Sequence, residues 1–467
     1  MNLDLNQIAK AVGGRLQPAT ARGCIKGVSI DSRTVQSGEL FVPLAGTRVD
    51  GHAYVSAAFE RGASACLSER SALELGVNSP VIEVADTFVA LGDLANLWRQ
   101  AFDGPVVAIT GSAGKTTTRE MLAAILARRG EGVQTQGNYN NLIGLPLTVC
   151  RLQPQHQWAV LEMGMNSRGE ISRLSEIAAP TVGLITNIGA AHLQGLQSIE
   201  GVARAKGELF GALASGTTAV INLDDPRVAQ LPVANGVNQI TCGLHPKAQI
   251  RGEGVEMTSQ GVALTLILPD GNYPLQLQVQ GRHNAANALL ATAAAWSLGV
   301  DGETIVAGLG DFRPFPGRME LVKLPGGITL IEDSYNANPL SVRAALQALR
   351  EMPPRNGKRI AVLGDMFELG VEAKNLHRDI GVVAASCCDL LIVMGVLGEE
   401  IAVGARLAGM PTEKIVTLAE PEAVAAQLQQ ELAQEDRVLV KGSRGMRMER
   451  VGAQLRTLLA SATTVKA

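Results

Sequence analysis

The chain has 467 residues, a length that suggests about three domains of ordinary size. A net charge of −3, with no cluster of Lys or Arg, argues against a nucleic-acid surface, and an aromatic content of 3% leaves little material for base stacking. An apolar content of 46% supplies the cores.

Residues 1–16 lack a basic region followed by an apolar stretch, so no signal peptide is expected. The spacing of Leu3, Leu5, Ile8, Ala9 and Val12 predicts a short amphipathic helix instead. Gly27-Val28-Ser29-Ile30-Asp31-Ser32-Arg33, residues 38–44 and Asp50-Gly51-His52 predict short strands with Gly turns. A helix over 54–61 and a strand over 81–84 complete a small mixed unit, residues 1–85. A helix over 87–102 then runs into the turn Asp103-Gly104-Pro105.

From residue 86 to 316, strands ending at Thr110, Glu162, Asn187 and Asn222 alternate with helical stretches. That alternation predicts βαβ units around a parallel sheet. Residues 239–279 alternate polar and apolar side chains, which predicts antiparallel strands at one edge. The small-apolar stretch 285–300 is too short to span a bilayer and reads as a core helix. From residue 317 to 467, strands over 328–332, 359–363, 390–394 and 438–441, with helices between, predict a Rossmann-like α/β unit. The expected class is therefore α/β in three domains, 1–85, 86–316 and 317–467. The six cysteines, Cys24, Cys66, Cys150, Cys242, Cys387 and Cys388, form no C-x-x-C and read as reduced core residues of a cytosolic protein.

The segment 106–118 carries the most chemistry. A β-branched run, Val106-Val107-Ala108-Ile109-Thr110, breaks into Gly111-Ser112-Ala113-Gly114-Lys115-Thr116-Thr117-Thr118 and a helix expected over 119–129. Such a turn aims backbone N–H groups at phosphate, Lys115 reaches the terminal phosphates, and the Thr116 hydroxyl reaches Mg²⁺. ATP or GTP is the expected ligand. The spacing departs from the common phosphate loop, which needs Gly five residues before Gly114, where Ile109 stands. Glu162 ends a buried-strand pattern, the place where α/β sheets hold ligands, and its oxygens suit Mg²⁺. His192 follows the next strand at the same edge. Read alone, Glu162 is a solvated strand-end acid, His192 a structural histidine and Lys206 a solvated helix lysine.

The short loop resembles that of the Mur ligases and of the related folylpolyglutamate synthetases, which use ATP to join a carboxylate to an amine. Other motifs resemble the Mur ligase family over nearly the whole chain. They include Gly137-Asn138-Tyr139-Asn140-Asn141, Glu162-Met163-Gly164, Gly281-Arg282-His283-Asn284-Ala285-Ala286-Asn287-Ala288 and Pro316-Gly317-Arg318. Asp333-Ser334-Tyr335-Asn336-Ala337-Asn338-Pro339, Gly364-Asp365-Met366-x-Glu368-Leu369-Gly370 and Lys441-Gly442-Ser443-Arg444 complete the series. The Asp-Asn-Pro-Arg of the branch that adds diaminopimelate is absent.

The resemblance implies ATP-dependent amide formation through an acyl phosphate. It joins D-alanyl-D-alanine to UDP-N-acetylmuramoyl-tripeptide, a cytoplasmic step of peptidoglycan synthesis. It implies an ATP site of Gly111, Ser112, Ala113, Gly114, Lys115, Thr116, Thr117, Asn287 (toward adenine), Arg318 and Asp333. It implies two Mg²⁺ held among Thr116, Glu162, His192 and Lys206, with Lys206 carbamylated, and catalytic parts for Lys115, Lys206 and His192. Asp31, Ser32, Arg33, Gly46 and Asp50 would line the UDP site, and Asn140, Asn141, Asn166 and Arg168 would face the muramyl-peptide. Asn336, Asn338, Lys441 and Arg444 would form the dipeptide side. For each polar loop residue, turn chemistry is the alternative. The partners implied are small molecules, with no nucleic acid and no membrane, and a monomer. Two other readings are a folylpolyglutamate-type ligase, which lacks the first domain, and a P-loop nucleotide switch, which would hydrolyse without an acceptor amine.

Overall fold

Residues 1–46, 49–353 and 356–464 are described in this computed structural model, with side chains to residue 460, so the expected third unit is followed to residue 464. The run at 106–110 lacks polar alternation, the pattern of a strand covered on both faces. It forms the wholly buried strand Val106–Thr110 within a nine-stranded sheet. Its neighbours, Val182–Ile185 and Trp158–Glu162, are both parallel to it and end level with it. Three strand ends and their loops therefore share one sheet edge, where α/β folds bind ligands.

Beyond Val182–Ile185 the sheet continues through Thr218–Asn222 and Asn238–Gly243. It then passes into a meander of Ile250–Thr258, Gly261–Leu268 and Gly271–Leu277. The segment expected to be antiparallel from residue 239 thus splits. Asn238–Gly243 pairs parallel with Thr218–Asn222, and antiparallel pairing starts only between Ile250–Thr258 and Gly261–Leu268. The crossover through the helix Pro226–Ala229 forces the parallel direction, which side-chain alternation does not report. The other edge strand, Gly132–Gln134, has a single buried residue and no readable pattern.

The N-terminal sheet has five strands in the order Arg15–Gln17, Val81–Glu83, Ala65–Ser68, Glu39–Phe41 and Gly27–Ser29. The first pair is antiparallel and the rest parallel. The first helix is Leu5–Ala11, closed at its start by an Asp4 capping box; Leu3–Asp4 pairs instead with Cys24–Ile25. Cys24, expected in the core, is exposed on that two-residue strand, whereas the other five cysteines are buried. The C-terminal sheet has six strands, Glu320–Lys323, Thr329–Glu332, Arg437–Lys441, Arg359–Gly364, Leu390–Met394 and Ile415–Leu418. All pair in parallel except the hairpin of the first two.

The helix after the glycine turn begins at Lys115, four residues before the expected start, and runs Lys115–Leu126. Gly114, at φ 82°, supplies the turn, and the buried Thr116 and Thr118 make a threonine run helical despite its weak propensity. The Ala-rich helix Arg282–Ser297 and the helix Gly302–Asp311 pack against it. Among the described residues no helix is long and apolar enough to cross a membrane. The last contact is close: a Cβ on Gly308 would lie 2.5 Å from the Cα of Ile125. Gly308→Ala should therefore lower stability by about 1–3 kcal/mol, as overpacking does. Chemical denaturation reads this directly, and an unchanged midpoint would contradict the packing.

Candidate functional site

The phosphate loop is held from behind. Asn187, just past the strand Val182–Ile185, accepts from Ala113 N at 2.8 Å and donates to Ala113 O at 3.0 Å. Thr186 Oγ1 donates to the same carbonyl at 2.6 Å, and Asn338 Nδ2 donates to Ser112 O at 2.9 Å. Gly111 is obligatory: at φ 148°, a Cβ there would lie 1.8 Å from Thr186 Oγ1. Thr118 N makes the first helical bond, to Gly114 O, so the N–H groups of Lys115, Thr116 and Thr117 precede the intrahelical ladder. They face a cleft of about 580 Å³ between the central and C-terminal sheets, lined on one side by residues 112–117. The loop is thus rigid, open to the cleft and positive, the arrangement that binds phosphate.

Beneath it lies Glu162, 3% exposed. Its Oε2 accepts from Thr116 Oγ1 at 2.8 Å and Arg119 at 3.3 Å; its Oε1 accepts from Asn140 Nδ2 at 2.9 Å. Burial pushes this carboxyl up, but Lys115, Arg119 and Arg318 outweigh it and hold the group below its ordinary value. Glu162 is an anion among cations. Lys115 donates to Gly111 O at 2.7 Å, and burial lowers its pKa. Lys206 is 1% exposed and is drawn well below the ordinary lysine value by burial, then by the Lys115 charge. No ion pair or hydrogen bond of its ammonium occurs among the described residues. His192 lines the cleft, and burial followed by Lys115 and Lys206 lowers its pKa. Among the described residues no three of His, Cys, Asp and Glu cluster as a metal cage. A nucleotide-borne Mg²⁺ needs only one or two protein oxygens beside phosphate and water, and the Thr116–Glu162 pair fits that.

The opposite wall comes from the C-terminal sheet. Arg318 stacks over the Tyr335 ring at 4.3 Å, and its Nε is buried without a partner. Arg444 lies 5.6 Å from the same ring. Lys441 is bonded to Asp333 Oδ2 at 2.6 Å and Asn336 O at 3.0 Å. Asn338 caps the helix Pro339–Glu351 through Ser341 N at 2.9 Å while reaching Ser112. Of the four residues expected on the dipeptide side, Lys441 and Asn338 are thus engaged within the protein, and Asn336 and Arg444 are the more open. Asn287 accepts from Thr118 at 3.4 Å and donates to Asn284 at 3.0 Å, so it sits against the phosphate loop.

Asn140, Asn141 and Asn166 line the cleft, whereas Arg168 is exposed outside its lining. Asp31, Ser32, Arg33, Gly46 and Asp50 belong to the N-terminal unit, away from it. Asp31 is paired with Arg33 at 2.7 Å, which holds its pKa down at about 2. Asp50 accepts from His52 N at 2.9 Å and His52 Nδ1 at 2.7 Å, and from Arg70 at 2.5 Å. Sequence reasoning placed Asn187 at its strand end without a clamping part, and it missed Thr186, the buried Arg119, and His283, which burial pulls down to about 4. The position of Asn187 just after a parallel strand was the available signal for the clamp.

Residues 24–99 match the Mur ligase family catalytic domain, 109–295 the Mur ligase middle domain, and 317–444 the Mur ligase glutamate ligase domain. The chain is 37% identical to the UDP-N-acetylmuramoyl-tripeptide–D-alanyl-D-alanine ligase of Escherichia coli (strain K12), covering 97% of this chain and 98% of that one. A crystal structure of MurF from Acinetobacter baumannii superposes with a TM-score of 0.89 at 31% identity, over 98% of this chain and 99% of that one. MurF ligase from Thermotoga maritima in complex with ADP superposes with a TM-score of 0.83 at 28% identity, over 93% and 98%.

A Cβ on Gly114 would lie 2.4 Å from Asn287 Oδ1, in a left-handed conformation that costs other residues about 1–2 kcal/mol. Gly114→Ala should therefore shift the loop and weaken ADP binding about tenfold or more. Calorimetry measures it, and wild-type affinity would deny the loop its nucleotide.

Proposed function

The chain belongs to the Mur ligase family, and from that membership we infer that it joins D-alanyl-D-alanine to UDP-N-acetylmuramoyl-tripeptide at the expense of ATP, in peptidoglycan synthesis. The observation that carries the reading to the residues is the cleft itself. A phosphate loop and a buried carboxylate form one wall, and Arg318, Asn336 and Arg444 form the other.

A carboxylate is a poor electrophile, so the tripeptide carboxylate takes the γ-phosphoryl group of ATP first. The dipeptide amine then attacks the acyl phosphate carbon, and phosphate leaves. Phosphoryl transfer demands positioning and charge neutralisation more than covalent help. Lys115 and the N–H groups of the helix start hold the phosphates. Arg318, with its unpartnered Nε, meets them from the other wall. Thr116 and Glu162 would hold one Mg²⁺, and His192 with Lys206 a second. Such ions neutralise charge on the phosphate oxygens when bound.

Lys206 reads as a carbamate. Burial and the Lys115 charge favour its neutral amine, whose lone pair adds to CO₂ with loss of one proton. The product is an anion that a hard cation accepts and that relieves a buried, unpaired ammonium. The UDP group is assigned to Asp31, Ser32, Arg33, Gly46 and Asp50, and the peptide to Asn140, Asn141, Asn166 and Arg168. Asn287 supports the nucleotide side, with Asp333 and Lys441 as its facing pair. Asn336 and Arg444 take the dipeptide, with Asn338 behind them. We take the three units as residues 1–85, 86–316 and 317–467. The cleft is complete within one chain, which supports a monomer. The free cysteines, with no disulfide among the described residues, support a cytoplasmic site. A folylpolyglutamate-type ligase or a nucleotide switch is disfavoured, because the named relatives match from end to end.

Lys115→Ala should cut ligation roughly a hundredfold or more, about 3 kcal/mol of transition-state stabilisation, while UDP-tripeptide affinity stays near wild type. Calorimetry and turnover separate the two, and equal loss of both would overturn the division of sites. Lys206→Ala should lose activity and regain part of it in acetate, which restores an anion. Full activity without acetate would end the carbamate reading.

A further inference from the structure

Arg318 stands on the cleft wall opposite the phosphate loop, and its charge acts on both Glu162 and Lys115. A charge taken out of water is as a rule paired with an opposite one. Arg318 is not: among the described residues its guanidinium forms no hydrogen bond and no ion pair, and its Nε is buried without a partner. What it does meet is the Tyr335 ring, whose centroid lies 4.3 Å from the guanidinium carbon. None of the assignments above uses Tyr335.

The main chain places that ring. Tyr335 follows the strand Thr329–Glu332, and Asp333 N continues the strand's pairing by donating to Val440 O at 3.0 Å. Ser334 is buried, and Tyr335 N donates to Gly317 O at 3.1 Å. Arg318 N closes its own turn on Phe315 O at 3.0 Å. Residues 316–318 and 333–335 are thus tied through backbone, and the side chains of Arg318 and Tyr335 come off that tie. No hydrogen bond of the Tyr335 hydroxyl occurs among the described residues, so the ring face, not the phenol, is the part in use.

A carboxylate would hold the guanidinium by taking up its N–H groups and cancelling its charge. An aromatic face holds it through the ring quadrupole and takes none of its N–H donors. Stacked on Tyr335, Arg318 is oriented and keeps both its charge and its donors for a ligand. Arg444, 5.6 Å from the same ring, differs, because Glu449 Oε1 also meets it at 3.3 Å.

We propose that Tyr335 is a positioning residue: its ring face holds the Arg318 guanidinium toward the phosphate loop without neutralising it, so that the transferring phosphoryl group meets a cation already aimed and unpaired. The inference rests on the phosphate part given to Arg318 above and adds what aims it. No partner has to be released from Arg318 before the nucleotide enters.

The test is steady-state ligation by full-length protein, with folding checked by thermal melting. Wild type, Tyr335→Phe, Tyr335→Leu, Arg318→Ala and the variant combining Tyr335→Leu with Arg318→Ala are compared. Tyr335→Phe should work at close to the wild-type rate. Tyr335→Leu should lower kcat about tenfold, the order of a desolvated cation–π contact, with KM for D-alanyl-D-alanine within about twofold. The double variant should be no slower than Arg318→Ala, because the ring acts through that guanidinium. A loss in the double variant equal to the product of the single losses makes the ring's part independent of Arg318 and overturns the proposal. So does a wild-type rate in Tyr335→Leu. A wild-type rate in Arg318→Ala overturns the phosphate part of Arg318, and the proposal with it. Progressively fluorinated phenylalanines placed at position 335 keep the shape and weaken the negative face. The rate should fall with each added fluorine, and a rate indifferent to fluorine overturns the proposal even where Tyr335→Leu folds poorly.

Discussion

The site depends on an excess of positive charge gathered about one buried carboxylate. Lys115, Arg119 and Arg318 act on Glu162, and Lys206 lies near Lys115. Two like charges 4 Å apart cost about 4 kcal/mol at an effective dielectric of 20, and of these cations only Arg119 has a second carboxylate, Glu120, paired with it among the described residues. The imbalance is tolerable because the cleft is open and because an entering polyphosphate removes it. Burial, and after it the Lys115 charge, depresses the Lys206 amine toward the neutral form. Electrostatic demand for an anion and the chemistry proposed for Lys206 are thus one property of the site.

Rigidity supplies the other half. A phosphate loop works only when its N–H groups are already aimed, and here the aiming is done by neighbours. Thr186, Asn187 and Asn338 take up Ala113 and Ser112, which leaves the helix start free for ligand. Two clamps come from the adjacent strand end and one from the C-terminal unit. The phosphate loop is therefore held from both walls of the cleft.

The sequence by itself determined the α/β class, the three units, the phosphate loop and the family, because these rest on local patterns. A short β-branched apolar run bounded by a turn favours a strand buried on both faces, and a glycine turn before Lys-Thr between a strand and a helix favours exposed N–H groups. Tertiary structure alone decided the pairing direction of Asn238–Gly243, the exposure of Cys24 and the start of the helix at Lys115. Pairing direction depends on how a crossover closes, and burial on which face a neighbour covers; neither is written in side-chain order. It also decided which polar side chains remain open to ligand. Asn338 and Lys441 read from sequence as binding groups, yet their atoms are engaged with Ser112 and Asp333. Glu368 and His192, 176 positions apart by their numbering, meet because two loops at the ends of different sheets face one cleft. Contacts of that kind are set by the docking of units, a long-range outcome that no stretch of either sequence segment encodes alone.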